Sequence, residues 1–118
     1  MKTVLVADDE DFLRLLVRET LRGYRVVEAR NGVEALSRAR EAAPDLIILD
    51  WRMPGCDGLD VLRALRADAA THDVPVLMMT AKTGASERVA LETAGANGIL
   101  AKPFSTRDLR ASVGEILG

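Results

Sequence analysis

Short apolar, β-rich runs alternate along this chain with stretches of helical spacing. The runs are Thr3–Ala7, Arg25–Ala29, Leu46–Leu49, Val76–Thr80 and Ile99–Ala101. An unbroken apolar run reads as a strand buried on both faces, as in a parallel sheet. Between the first two, Leu13, Leu16, Val17 and Leu21 fall at i, i+3, i+4 and i+8, one face of a helix over Asp11–Arg22 that Gly23 ends. Asn31 with Glu34 three residues on resembles a helix N-cap signature. Leu36, Ala39 and Ala43 give that helix its apolar side, and Pro44 closes it. Leu59, Leu62 and Leu65 carry a third helix; Ala67–Asp73 reads as a polar loop, and Pro75 opens the fourth strand. A fourth helix over Ser86–Ala94 has a weak apolar face of Val89, Ala90 and Thr93, and Gly95–Gly98 is loop chemistry. Ser105 and Asp108 have capping-box spacing before a last helix whose Leu109, Val113, Ile116 and Leu117 share a face.

Strand and helix thus alternate five times, a (βα)5 pattern. The fold class is α/β, a doubly wound five-stranded parallel sheet covered on both faces. Right-handed crossovers leave few topologies, and the flavodoxin-like order 2-1-3-4-5 is the simplest.

The third apolar run changes the picture, because it ends in an acid. Leu46-Ile47-Ile48-Leu49 leads straight into Asp50, and Met53-Pro54-Gly55 then breaks the strand. Alone, Asp50 is equally a loop-opening residue, since Asp is a common turn former. Other strands end the same way. Asp8 and Asp9 follow the first, Thr80 ends the fourth and Lys102 follows the fifth. In a parallel sheet all of these lie along one edge, where open α/β sheets place their chemistry. Neighbouring strands are about 4.8 Å apart, so the groups can converge on one cleft.

Three carboxylates so close repel one another. A hard divalent cation relieves the repulsion, and Mg²⁺ prefers oxygen ligands and often bridges carboxylates to phosphate. Lys102 offers a mobile positive charge for a phosphate oxygen or for Asp50, and Thr80 a hydroxyl donor. Asp50 is the candidate nucleophile for an aspartyl-phosphate. Phosphoryl transfer needs mainly positioning and charge neutralisation, which these groups provide. The chain has no glycine-rich nucleotide loop, so the phosphoryl donor is a small molecule or another protein.

Composition sets the bounds. The 118 residues form one domain, 1–118, with 48% hydrophobic and 29% charged residues, ordinary for a soluble globular protein. A net charge of −2 suggests no general affinity for nucleic acid or an anionic membrane. The only cysteine, Cys56, reads as an unpartnered residue of an exposed loop, and His72 as a lone surface residue. The first apolar run is too short and too soon acidic for a signal peptide, which predicts a cytoplasmic protein without membrane association.

The chain resembles the receiver domains of two-component response regulators over essentially its whole length. Asp8-Asp9, Asp50-x-x-Met53-Pro54-Gly55-x-Asp57-Gly58, Thr80-Ala81 and Lys102-Pro103-Phe104 carry the resemblance. It implies that Asp50 accepts a phosphoryl group from the phosphohistidine of a histidine kinase or histidine phosphotransfer protein, so that the chain is a signalling domain rather than an enzyme. It implies that Asp9 binds Mg²⁺ directly, Asp8 through water, and the Arg52 carbonyl as a further ligand. Thr80 and Lys102 would contact the phosphoryl oxygens, and the Lys102–Pro103 bond would be cis. The implied output is a changed surface around helix four, strand five and helix five, read by a downstream target, a fused effector or a second copy of the chain.

The chain departs from that pattern in places. An aromatic residue usually stands three before the lysine; here it is Ile99, either a packing residue or a weakened link between phosphate and surface. Arg52 and Lys82 are either solvated loop residues or cations that slow loss of the phosphate. The link from Leu21 to Tyr24 is about two residues shorter than usual. A hydrolase with an Asp nucleophile on a similar sheet would need a second acid two residues later, where Arg52 stands. A phosphorylation-independent binding module on the same fold is the remaining alternative.

Overall fold

A computed structural model describes residues 1–118. Five parallel strands form one sheet: β1 (Thr3–Ala7), β2 (Arg25–Ala29), β3 (Leu46–Asp50), β4 (Val76–Thr80) and β5 (Gly98–Ala101). Their spatial order is β2-β1-β3-β4-β5, the doubly wound order that the alternation predicts. The helices between and after them are α1 (Asp11–Thr20), α2 (Gly32–Ala42), α3 (Gly58–Ala67), α4 (Ala85–Thr93) and α5 (Thr106–Leu117).

Alternate residues of each strand feed two separate cores. Leu5, Ala7, Ile47, Leu49, Val76 and Met78 point to one face, where Ala35 and Ala39 of α2, Val61, Leu62 and Leu65 of α3 and Leu91 of α4 cover them. Val4, Val6, Leu46, Ile48, Leu77 and Met79 point to the other, under Val17 of α1 with Leu21 beyond it, and Leu109 and Val113 of α5. A strand buried on both faces shows no polar alternation, which explains the unbroken apolar runs.

Two N-cap signatures hold in detail. Asn31 accepts the Glu34 amide at 2.9 Å, although the Glu34 carboxylate reaches back to the Arg30 amide rather than to the cap residue. Ser105 and Asp108 form a reciprocal capping box on α5.

The helix faces and ends differ from the pattern in several places. Helix α1 stops at Thr20, and Gly23 is not its left-handed cap: Leu21 is the C-cap, with φ −102°. The face that α1 buries runs through Arg14 and Val17, with Leu21 just beyond, while Leu13 and Leu16 are half-buried. In α2 the buried alanines are Ala35 and Ala39; Ala43 is the exposed C-cap, left-handed at φ 45°. Val61 joins the buried side of α3, where Leu59 is half-buried. Only Leu91 of α4 is buried, with Val89 61% exposed and Thr93 exposed. Leu91, outside the expected face, is the α4 residue that joins the core. The loop after α3 is tied rather than free. Thr71 is buried and donates its hydroxyl to the Leu65 carbonyl at 2.7 Å, and Arg66 binds the carbonyls of Val74 and Gly95, each at 2.8 Å.

Leu62, fully buried between α3 and the sheet, measures the worth of this core. Leu62→Ala is expected to lower unfolding stability by about 2–5 kcal/mol. Val89→Ala on exposed α4 should change it by less than about 0.5 kcal/mol. Urea denaturation of both variants checks this, and equal losses would contradict the packing.

Candidate functional site

The C-terminal ends of the strands open into a cleft of about 780 Å³ lined by Asp9, Asp50, Trp51, Arg52, Thr80 and Lys102, among others. Register explains the convergence. Ala7 pairs with Leu49 across β1 and β3, Asp50 with Met79 across β3 and β4, and Thr80 with Ala101 across β4 and β5. The residues at or just past these rungs therefore share one edge.

Two of the acids are buried: Asp8 is 0% and Asp50 4% exposed, whereas Asp9 is exposed. Lys102 spans them, its Nζ 3.2 Å from Asp8 Oδ2 and 3.2 Å from Asp50 Oδ1. The Glu10 amide donates to Asp8 Oδ1 at 2.8 Å. Thr80, 3% exposed, accepts the Lys82 amide at 2.9 Å and fixes the start of the β4–α4 loop. The Lys102–Pro103 bond is cis, in agreement with the motif.

The segment after Asp50 is more ordered than a plain loop. Arg52–Met53 pairs antiparallel with Cys56–Asp57 across a turn with Pro54 and Gly55, the latter at φ 71°. Proline followed by a residue with positive φ is the pattern of a type II turn. Gly58 then passes so close to the strand end that a Cβ there would stand 2.3 Å from the Asp50 carbonyl oxygen. Its amide donates to the Trp51 carbonyl at 2.7 Å. Cys56 is not an exposed loop residue as expected. It is half-buried in this ribbon, and its Sγ occupies the space that a side chain at Gly32 would need. His72 is exposed, as its sequence context suggests.

Carboxylate oxygens of Asp8, Asp9 and Asp50 lie within 4.8 Å of one another. An all-oxygen, anionic donor set of that size suits a hard divalent cation such as Mg²⁺. The electrostatics agree. Burial, then the Asp8 charge, pushes the Asp50 carboxyl up to about 6, against the pull of Lys102. Burial alone would lower Lys102, but the charges of Asp8 and Asp50 outweigh it and hold the ammonium above its ordinary value.

A family model for the response regulator receiver domain matches residues 4–114. The chain belongs to the response regulator receiver family. Among its relatives, the phosphate regulon transcriptional regulatory protein PhoB of Pseudomonas aeruginosa is 37% identical over 118 residues, covering 98% of this chain and 52% of that protein. PhoB of Rhizobium meliloti is 40% identical over 116 residues, covering 97% of this chain and 51% of that protein. The chain therefore spans about half the length of these curated relatives. The structure of the chemotaxis response regulator CheY4 of Vibrio cholerae superimposes with a TM-score of 0.94 at 35% identity, covering 99% of each chain.

This receiver brings together Asp8, Asp9, Asp50, Arg52, Thr80 and Lys102, the residues singled out from the sequence. Arg52 and Lys82 are exposed, and Ile99 is half-buried against the core beneath α2, α3 and α4, in the position of a packing residue. Sequence reasoning missed Gly58 as a close-approach residue and Arg14 as a buried one. A signal for Arg14 was present, since it precedes Val17 by three residues and Leu21 by seven, on the same face of α1.

The raised Asp50 sets a pH dependence. The folded receiver keeps this proton where the unfolded chain has lost it, between the ordinary 3.8 and about 6. Asp50 therefore lowers stability as pH rises through that window, and the whole penalty is present above it. In Mg²⁺-free buffer Asp50→Asn is expected to be more stable than wild type at pH 8, on the order of 2 kcal/mol. The gap should close as pH falls toward 4. Urea midpoints across this range check it, and a gap independent of pH would reject the assignment.

Proposed function

We propose that this receiver is a phosphorylation switch in which Asp50 accepts a phosphoryl group from the phosphohistidine of a histidine kinase or histidine phosphotransfer protein. The observation that carries the reading is the ion bridge Asp8–Lys102–Asp50, two buried carboxylates sharing one ammonium at 3.2 Å each. A Lys102 that is drawn onto a phosphoryl oxygen keeps its place near both acids, so the charge it balances is the charge that phosphorylation alters.

In the transfer, an Asp50 carboxylate oxygen forms a bond to phosphorus as the phosphorus–nitrogen bond to the donor imidazole breaks, and the imidazole leaves with the electron pair. Asp8, Asp9 and Asp50, with the Arg52 carbonyl, would hold Mg²⁺. When bound, the ion neutralises the acids and the developing phosphoryl charge. Lys102, which lies between Asp8 and Asp50, neutralises further charge. The Thr80 hydroxyl, which now donates to the Lys82 carbonyl at 3.2 Å, turns to donate to a phosphoryl oxygen and so releases that carbonyl at the start of the loop leading into α4. Only Leu91 of α4 is buried, so this helix, with β5 and α5, is the surface whose contacts change. The reader of that surface is a downstream protein, an effector fused to this domain or a second copy of the chain. The PhoB relatives, about twice the length of this chain and described as transcriptional regulators, favour a fused effector; the CheY4 structure, of the same length, favours a separate partner.

Ile99 gives a second reading some support, that of a module whose surface ignores the phosphate. With beryllofluoride and Mg²⁺ as a phosphoryl mimic, the amide NMR shifts of Lys82–Ile99 are expected to move. Changes confined to the cleft would select the second reading. For the main reading, acetyl phosphate with Mg²⁺ should add one phosphoryl group to wild type and none to Asp50→Asn, as read by intact mass. Lys102→Met should take up phosphoryl much more slowly. Labelling of Asp50→Asn at the wild-type rate would refute the assignment.

A further inference from the structure

One buried cation is not used by the phosphoryl chemistry. Arg14 lies on the inner side of α1 with its side chain 7% exposed. Its Nη1 donates to the main-chain carbonyl of Asp8 at 2.7 Å, in a buried hydrogen bond. Its Nε donates to Glu28 Oε1 at 3.1 Å on β2, and its Nη2 pairs with Asp11. Glu28 is held in turn by Arg18 at 2.9 Å. One planar guanidinium therefore joins three elements: the end of β1, the neighbouring strand β2 and the first turn of α1.

The position of the first contact matters. The Asp8 carbonyl belongs to the peptide unit that links Asp8 to Asp9. Asp8 is fixed on its other sides by its amide bond to the Ala29 carbonyl at 3.1 Å and by the Glu10 amide and Lys102 on its carboxylate. Rotation of the Asp8–Asp9 peptide plane would redirect the backbone that carries Asp9, the exposed acid of the cluster, and only Arg14 holds that carbonyl by a side chain. The guanidinium suits this task because its donors form a rigid fork, which a lysine ammonium does not. Its charge is neutralised by Glu28 and Asp11, so it opposes little of the negative field that attracts a cation.

We propose that Arg14 is a positioning residue for the acidic cluster: through the Asp8 carbonyl it orients the Asp8–Asp9 peptide so that both acids face Asp50, and it thereby sets the affinity for Mg²⁺. This inference rests on reading the cluster as a Mg²⁺ site. The sign of the effect separates positioning from simple charge. Removal of a cation beside an acidic site tightens Mg²⁺ binding by Coulomb's law. Loss of orientation weakens it, and groups that orient metal ligands typically contribute a factor of about 10–100 in affinity.

The test is Mg²⁺ titration of the 118-residue chain, followed by the fluorescence of Trp51, which lines the cleft beside Asp50, and by calorimetry, with thermal unfolding measured in parallel. Arg14→Met is expected to weaken Mg²⁺ binding about tenfold or more despite the lost positive charge. Arg14→Lys keeps the charge but loses the planar fork and the reach of Nη1, and should still weaken binding severalfold; it serves if the methionine variant does not fold. Arg18→Met removes the other cation on Glu28 without touching Asp8, and should bind as wild type does. Unchanged or tighter binding in Arg14→Met, or in Arg14→Lys if only that variant folds, would reduce Arg14 to a packing residue and overturn the inference. Wild type that binds no Mg²⁺ would instead remove the site reading on which it rests.

Discussion

The shared ammonium of Lys102 is the interaction on which the cleft depends. Asp8 and Asp50 end adjacent strands and are both withdrawn from water. Two such carboxylates side by side are costly, because burial and mutual repulsion both oppose ionisation. Lys102, delivered from the far side of β4, sits between them at equal distance. The charge balance is incomplete, with two buried acids, a third exposed one and a single cation. That residual negative charge suits a divalent cation, while burial first and the Asp8 charge second push the Asp50 carboxyl up to about 6.

The scaffold is unequal in rigidity, and its distribution matches the chemistry. Strands β1, β3 and β4 are buried along their whole length and hold Asp8, Asp50 and Thr80 in fixed register. Helix α4 is different. It has no side-chain N-cap, one buried residue and an exposed entry from Ala81 to Gly84. Its far end is anchored, because Arg66 grips the Gly95 carbonyl and Asn97 accepts the Val76 amide at 2.9 Å. A helix fixed at its C-terminus and loosely packed at its N-terminus opens at low cost near Thr80, and low-stability segments of this kind are where proteins place moving parts. Ile99 packs against the core beneath this helix, and no aromatic ring stands at that position.

Much of the site was legible because parallel sheets obey a simple rule. Strand ends from distant parts of the chain share one edge, so the order of elements alone groups Asp8, Asp50, Thr80 and Lys102. The helix faces were less legible. In α4 the apolar residues Val89 and Leu91 lie two apart, on different sides of the helix, so the sequence offers no clear face, and contact with the core selects Leu91. Arg14 was hidden for a related reason: a charged residue reads as solvent-facing unless its acceptors are known, and those acceptors come from β1, β2 and its own helix. Cys56 looked free because the close packing of Gly32 beneath it is a contact between elements far apart in sequence.

The sequence by itself determined the order of elements, the two-sided burial of the strands and the set of polar groups at one sheet edge. These follow from local periodicity and from the geometry of right-handed crossovers. Only the tertiary structure decided which acids are buried, that one lysine bridges two of them, and that Arg14 grips the peptide between Asp8 and Asp9. Those outcomes depend on side-chain distances across β1, β3 and β5, and a difference of an ångström or two separates a bridge from a solvated charge.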